Sequence, residues 1–146
     1  MYGTDGSTQT WHLIGAERVP DKWLVTTAIG EPYFTRWVTS VAANWRRYAD
    51  VHGFGIAVAT ANLWKHGEPQ LNGAWQKLLA PRSLRNLLDR EVRCAVIDTD
   101  VILNPAAPSV FTEAREGHVG VVSQVHGIPL PVQQLKNRIA FLRRAY

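Results

Sequence analysis

Short, continuous apolar runs alternate along this chain with stretches whose apolar positions recur at helical spacing. Trp23-Leu24-Val25-Thr26-Thr27-Ala28-Ile29 is rich in β-formers, is closed by Gly30, and reads as a buried strand. From Pro32 the period changes. Phe34, Trp37, Val38, Val41, Trp45 and Tyr48 share one face of a helix predicted to run to about Asp50, with Arg36, Arg46 and Arg47 on its other faces. Gly53 ends it, and Phe54-Gly55-Ile56-Ala57-Val58-Ala59-Thr60 reads as a second strand. Residues 62–72 read as a loop. Trp75, Leu78, Leu79, Leu84, Leu87 and Leu88 then predict a helix kinked at Pro81, or two short ones. A third apolar run, Cys94-Ala95-Val96-Ile97, precedes Asp98-Thr99-Asp100.

Beyond it, Asn104-Pro105-Ala106-Ala107-Pro108 predicts a turn and Ser109 to Glu116 a short helix. His118-Val119-Gly120-Val121-Val122-Ser123 predicts a strand. The loop from Gly127 to Pro131 leads to a last helix with Val132, Leu135, Ile139 and Leu142 on one face. The order β-α-β-α-β-β-α predicts an α/β domain: a mostly parallel sheet with helices on both faces. Residues 1–22 read as a flexible lead-in to this single domain. The final helix runs into Arg143-Arg144-Ala145-Tyr146 without a cap or a following strand, so the expectation is a fragment of a longer domain.

With 146 residues, 46% of them apolar, the chain is long enough for one domain with a core and short for two. All six Trp fall at or before Trp75, and the simplest role for most of them, Trp75 included, is core anchor. The net charge of +4 is unevenly placed. Four of the 16 Lys and Arg lie after Glu116, where no acidic residue follows, and the other twelve balance the 12 Asp and Glu. That is not the basic face with interleaved aromatics of a nucleic-acid binder, so no nucleic-acid partner is expected. Cys94, alone and within a strand, reads as an inert core thiol. No stretch approaches a membrane span or a signal peptide, which gives the expectation of a soluble, cytoplasmic chain with no membrane segment.

Asp98-Thr99-Asp100 is where chemistry is expected. Two carboxylates one residue apart at the carboxyl end of a buried strand sit at the rim where ligands bind in open α/β sheets. A single Asp there is commonly a turn former. A second like charge at close range costs energy unless a cation or donors relieve it. Carboxylates are hard oxygen ligands for Mg²⁺ or Mn²⁺, which keep other positions for water and phosphate oxygens. The pair therefore reads as a site for a metal-diphosphate.

At this point the chain resembles the nucleotide-binding half of a GT-A-fold nucleotide-sugar glycosyltransferase, of the galactosyl/mannosyltransferase (galactosyltransferase) type. The resemblance rests on Leu24-Val25-Thr26-Thr27-Ala28, on Tyr48-Ala49-Asp50 with His52-Gly53-Phe54, and on Trp75-Gln76-Lys77-Leu78-Leu79. Its strongest piece is Val96-Ile97-Asp98-Thr99-Asp100-Val101-Ile102-Leu103-Asn104-Pro105. It implies transfer of a hexose from a nucleotide-diphosphate sugar donor to a saccharide or glycan acceptor. It implies Thr26, Thr27 and Ala28 at the base and ribose, and Asp98 and Thr99 beside the nucleotide. Asp98 would approach the ribose and the metal's water shell, with Asp100 a direct ligand of Mn²⁺ or Mg²⁺, and Lys77 would reach a phosphate; a solvated helix lysine is the plain alternative for Lys77. The acceptor side of such an enzyme would lie beyond residue 146. Three rivals stand beside it: a haloacid-dehalogenase-like phosphatase with the first Asp as nucleophile, a non-catalytic domain that binds a sugar nucleotide or a partner, and an α/β domain whose aspartates merely finish a strand.

Overall fold

The computed structural model describes residues 10–15, 19–64, 73–112, 114–115 and 117–121, together with 133–134, 136–137 and 140. The chain divides into two units, Met1–Phe111 and Thr112–Tyr146, and the first carries the sheet. Its elements are β1 (Trp11–Ile14), β2 (Lys22–Thr27), α1 (Glu31–Ser40), α2 (Ala42–His52), β3 (Gly55–Ala59), α3 (Gly73–Gln76), α4 (Ala80–Leu88) and β4 (Arg93–Val96), with a 3₁₀ turn over Lys77–Leu79 joining α3 to α4. The strand order is β1-β3-β2-β4.

The three apolar runs read from the sequence are neighbours. Central β2 pairs in parallel with β3, Leu24 opposite Ile56, and with β4, Leu24 opposite Ala95. The sheet is nonetheless mixed, because β1 joins its edge antiparallel to β3, Trp11 opposite Ala59. This strand lies within the stretch read as a lead-in. Its four residues are too few for a strong alternation signal, and His12 interrupts the apolar pattern; in the fold that histidine stacks on Phe34, ring centroids 4.4 Å apart.

Alternation along the strands divides the core in two. Leu24, Ala28, Ile56 and Val58 lie under Trp37, Val41, Trp45, Tyr48 and Ala49 from α1 and α2. On the other face, Trp23, Val25, Ala57, Ala59 and Trp11 meet Ala80 and Leu84 of α4. Helices on both faces follow from the route of the chain, which moves from β2 out to β3 and then back past β2 to β4. Keeping one crossover hand through both moves puts the two sets of helices on opposite faces.

Local backbone features set the ends of these elements, some as the sequence pattern predicts and some not. The helix predicted from Pro32 to Asp50 breaks at Val41, which has φ −127°. Just before it the Thr39 hydroxyl donates back to the carbonyls of Thr35 (2.9 Å) and Arg36 (3.2 Å), a contact that bends helices. Gly53 closes α2 in the left-handed region, φ 69°. Gly55 opens β3 because the Trp23 indole lies across it: a Cβ there would meet that ring at 2.5 Å. The helix predicted at Ser109 does not form over the described residues. Ser109 Oγ accepts from Phe111 N (3.1 Å) in a side-chain turn, and Val110 N donates to the Tyr48 hydroxyl (2.9 Å), so the groups that would start a helix are engaged otherwise.

In the second unit, His118 to Val121 form no strand, and Val119 and Val121 are exposed. Gln133, Gln134, Lys136, Asn137 and Ala140 are helical, as predicted for this stretch. The expected face of that helix, Val132, Leu135, Ile139 and Leu142, lies outside the described residues, as do positions 122–123, the loop at 127–131 and most of the loop at 62–72. Among the described residues no helix is long and apolar enough to cross a membrane.

Candidate functional site

The carboxyl ends of β2, β3 and β4 point the same way because the three strands are parallel. From β2 the chain leaves toward the α1/α2 face, and from its neighbour β3 it leaves toward the α4 face. Such a divergence opens a crevice at the strand ends, the general position of ligands in open α/β sheets. Asp98-Thr99-Asp100 leaves β4 at this rim, since Ile97 N still donates to Val25 O (2.9 Å) and Val101 N then turns back to Asp98 O (3.2 Å).

The loop that follows is fastened by one stripe of α2. Asn44 bridges Leu103 twice, Nδ2 donating to the carbonyl and Oδ1 accepting from the amide, both at 2.7 Å. Trp45 Nε1 donates to Val101 O (2.8 Å), and the Tyr48 hydroxyl donates to Pro108 O (2.8 Å). His52 Nε2 lies 3.1 Å from Ala107 O. Positions 44 and 45, 48 and 52 recur at the helical interval, so one face of α2 carries both the core contacts and the loop's hydrogen bonds.

The two aspartates differ in environment. Asp98 is ion-paired with Lys77, which the 3₁₀ turn between α3 and α4 brings to the strand end. Asp100 is exposed and has no ion-pair partner among the described residues. It lines a cleft of about 410 Å³ with Thr99, Ile102, Tyr33, Arg36, Trp37, Ser40 and Val41, so the loop after β4 and one side of α1 form its walls. A larger cleft of about 580 Å³ lies at the opposite end of the sheet, among Arg82, Arg85, Asn86, Asp89, Arg90 and Glu91. Its charges are largely satisfied, Arg85 by Glu91 (2.6 Å) and Arg90 by Asp21, and it lies away from the strand-end aspartates.

Thr26, Thr27 and Ala28 are all buried, and the surface at this strand end belongs to Ile29 and Gly30. Thr26 and Ala28 belong to the floor beneath α1 and α2, and Ala28 N is taken by Ala59 O (2.8 Å). Lys77 pairs with a carboxylate of the site itself, a contact across the fold that spacing along the chain does not reveal. Trp64 and Trp75 are 43% and 46% exposed, which corrects the reading of Trp75 as a core anchor. Within α3 it is the next residue, Gln76, that turns inward, its Oε1 accepting from Leu63 N (2.9 Å) and Trp64 N (3.0 Å), and this leaves Trp75 on the outer side. The sequence reading did not single out Arg36 or Asn44 as site residues. For Asn44 a signal existed, a polar residue beside the apolar stripe of the helix, but its partner lies far along the chain.

Among the described residues no three His, Cys, Asp or Glu side chains converge as a metal cage. With Lys77 on Asp98, these residues fit a divalent cation only where Asp100 supplies a carboxylate and phosphate oxygens and water complete the shell, a common arrangement for Mg²⁺. Cys94 packs beside the α4 face of the core, and burial pushes its thiol up to about 11. At pH 8 about one molecule in a thousand then carries the thiolate. Alkylation by iodoacetamide is expected to be slow in the native state and to accelerate in denaturant; equal rates in the two states would contradict the partly buried placement.

No protein family matches this chain, and no curated protein or solved structure matches it either.

Proposed function

We propose that this chain is the nucleotide-binding half of a metal-dependent glycosyltransferase that moves a hexose from a nucleotide-diphosphate sugar to a saccharide or glycan acceptor. The observation that carries the reading is Asp98-Thr99-Asp100 at the carboxyl end of the strand beside the central one, with Asp100 on the wall of a cleft and without an ion-pair partner among the described residues. Glycosyl transfer breaks a C–O bond through a cation-like sugar, and negative charge builds on the departing diphosphate. A divalent ion shared between Asp100 and the diphosphate would act there as a Lewis acid. This chain's own residues have simpler tasks. Asp100 offers the carboxylate, Lys77 keeps Asp98 compensated, and the Asn44, Trp45 and Tyr48 contacts hold the loop in one geometry.

Calorimetric titration of UDP and GDP, each with Mn²⁺ and with EDTA, tests the reading. One of the two should bind with Mn²⁺ and fail to bind with EDTA. Binding of neither nucleotide under either condition would remove the transferase reading, and slow hydrolysis of a phosphomonoester by the same sample would favour the phosphatase.

A further inference from the structure

The cleft beside Asp100 carries two unpaired charges of opposite sign. Arg36, exposed on α1, has no ion-pair partner among the described residues, and neither has Asp100 across the cleft. Three other arginines of the fold are engaged locally, Arg46 with Asp50 (4.0 Å), Arg85 with Glu91 and Arg90 with Asp21, whereas Arg47 and Arg82 share with Arg36 the lack of an ion-pair partner among the described residues but do not line this cleft. Tyr33 and Ser40 add hydroxyls along the same side of α1.

Lys77, by contrast, is already committed. Its ammonium sits on Asp98, so to reach a ligand phosphate it would have to abandon a carboxylate and leave that carboxylate uncompensated. Arg36 gives up nothing. Its planar guanidinium presents paired N–H donors that match phosphate geometry. A phosphate set directly against Asp100 would be repelled, whereas one drawn to Arg36 on the opposite wall leaves Asp100 free for a cation or for ligand hydroxyls.

We infer that Arg36, and not Lys77, is the cation that binds a phosphate group of the ligand in this cleft. The inference rests on the cleft being the ligand site proposed above, and it specifies which wall takes the anion. The arrangement suits a phosphorylated ligand with two anionic centres, one held by Arg36 and one shared with the metal at Asp100.

The test uses the full chain and two probes, inorganic pyrophosphate with Mg²⁺ and UDP or GDP with Mn²⁺, followed by calorimetry. Arg36 is exposed, so Arg36→Gln and Arg36→Lys should melt like the parent. Arg36→Gln should weaken pyrophosphate binding by about tenfold or more, as expected for losing a charge-assisted phosphate contact. Arg36→Lys should restore part of it, and Lys77→Gln should weaken it less than Arg36→Gln. Affinity in Arg36→Gln equal to that of the parent, a larger loss in Lys77→Gln, or no pyrophosphate binding by the parent would each overturn the inference. The two proposals separate cleanly. Metal-dependent nucleotide binding that survives Arg36→Gln removes the role of Arg36 and leaves the transferase reading. Pyrophosphate binding that depends on Arg36, without tighter binding of either nucleotide, does the reverse.

Discussion

Trp45→Ala is expected to lower the stability of the chain by about 3–5 kcal/mol, the range for removing a fully buried aromatic side chain. Trp45 is completely buried, meets Trp37 edge-on at 5.8 Å between ring centroids, and donates its indole N–H to Val101 O (2.8 Å). For a chain of this length each kcal/mol moves the melting temperature by about 2–4 °C, so a fall of about 6–20 °C is expected. Because total stability is itself only about 5–15 kcal/mol, Trp45→Phe is the companion variant. It keeps most of the packing and gives up the hydrogen bond, at a cost of about 1–3 kcal/mol because the Val101 carbonyl loses its donor. An unchanged melting temperature in Trp45→Ala would mean that α2 does not cover the sheet. A Phe variant as unstable as the Ala variant would assign most of the energy to the loop contact rather than to the core.

Asp100→Ala should abolish Mn²⁺-dependent nucleotide binding while leaving the melting temperature within about 1–2 °C of the parent. Its carboxylate is exposed and has no ion-pair partner among the described residues, so folding loses little with it. Asp98→Ala should behave differently. It breaks the pair with Lys77, an exposed contact worth about 0–1 kcal/mol, and frees an ammonium at the edge of the site. Nucleotide affinity should fall less than in Asp100→Ala. Two neighbouring carboxylates read from sequence alone suggest mutual repulsion that either removal would relieve. Lys77 already compensates one of them, so neither variant is expected to be more stable than the parent. Parallel melts and titrations on both proteins decide the matter, and full nucleotide affinity in Asp100→Ala would end the metal-site reading.

The three parallel strands were legible because Trp23 to Ile29, Phe54 to Thr60 and Cys94 to Ile97 are apolar runs bounded by breakers; β2 and β3 are buried along nearly their whole length, whereas β4, at the end of the strand order, is only partly covered and is not the buried strand that its apolar run suggested. The antiparallel edge was not, since Trp11-His12-Leu13-Ile14 is brief and its polar member packs on a helix. The break at Val41 falls within an apolar stripe that continues at helical spacing on both sides of it, so periodicity does not encode it. The aspartates announced themselves by position. What surrounds them did not: Lys77 on Asp98, Asn44 on Leu103 and Arg36 across the cleft from Asp100 are meetings created by the fold between residues distant in the chain. Gln76 shows the same limit from the other side, a polar residue sealed inside because two backbone amides need its oxygen.

The α2 stripe that fastens the strand-end loop also governs how that loop opens. The amides of Leu103 and Val110 donate to the side chains of Asn44 and Tyr48 rather than to backbone, so solvent deuterons reach them only when those two side chains let go. Their exchange is thereby tied to the motions of a helix, although both amides sit in a segment without regular secondary structure. The loop has surrendered its conformational freedom during folding. A ligand arriving at Asp100 therefore meets a wall that is already set, and the entropy of ordering that wall is not subtracted from its affinity.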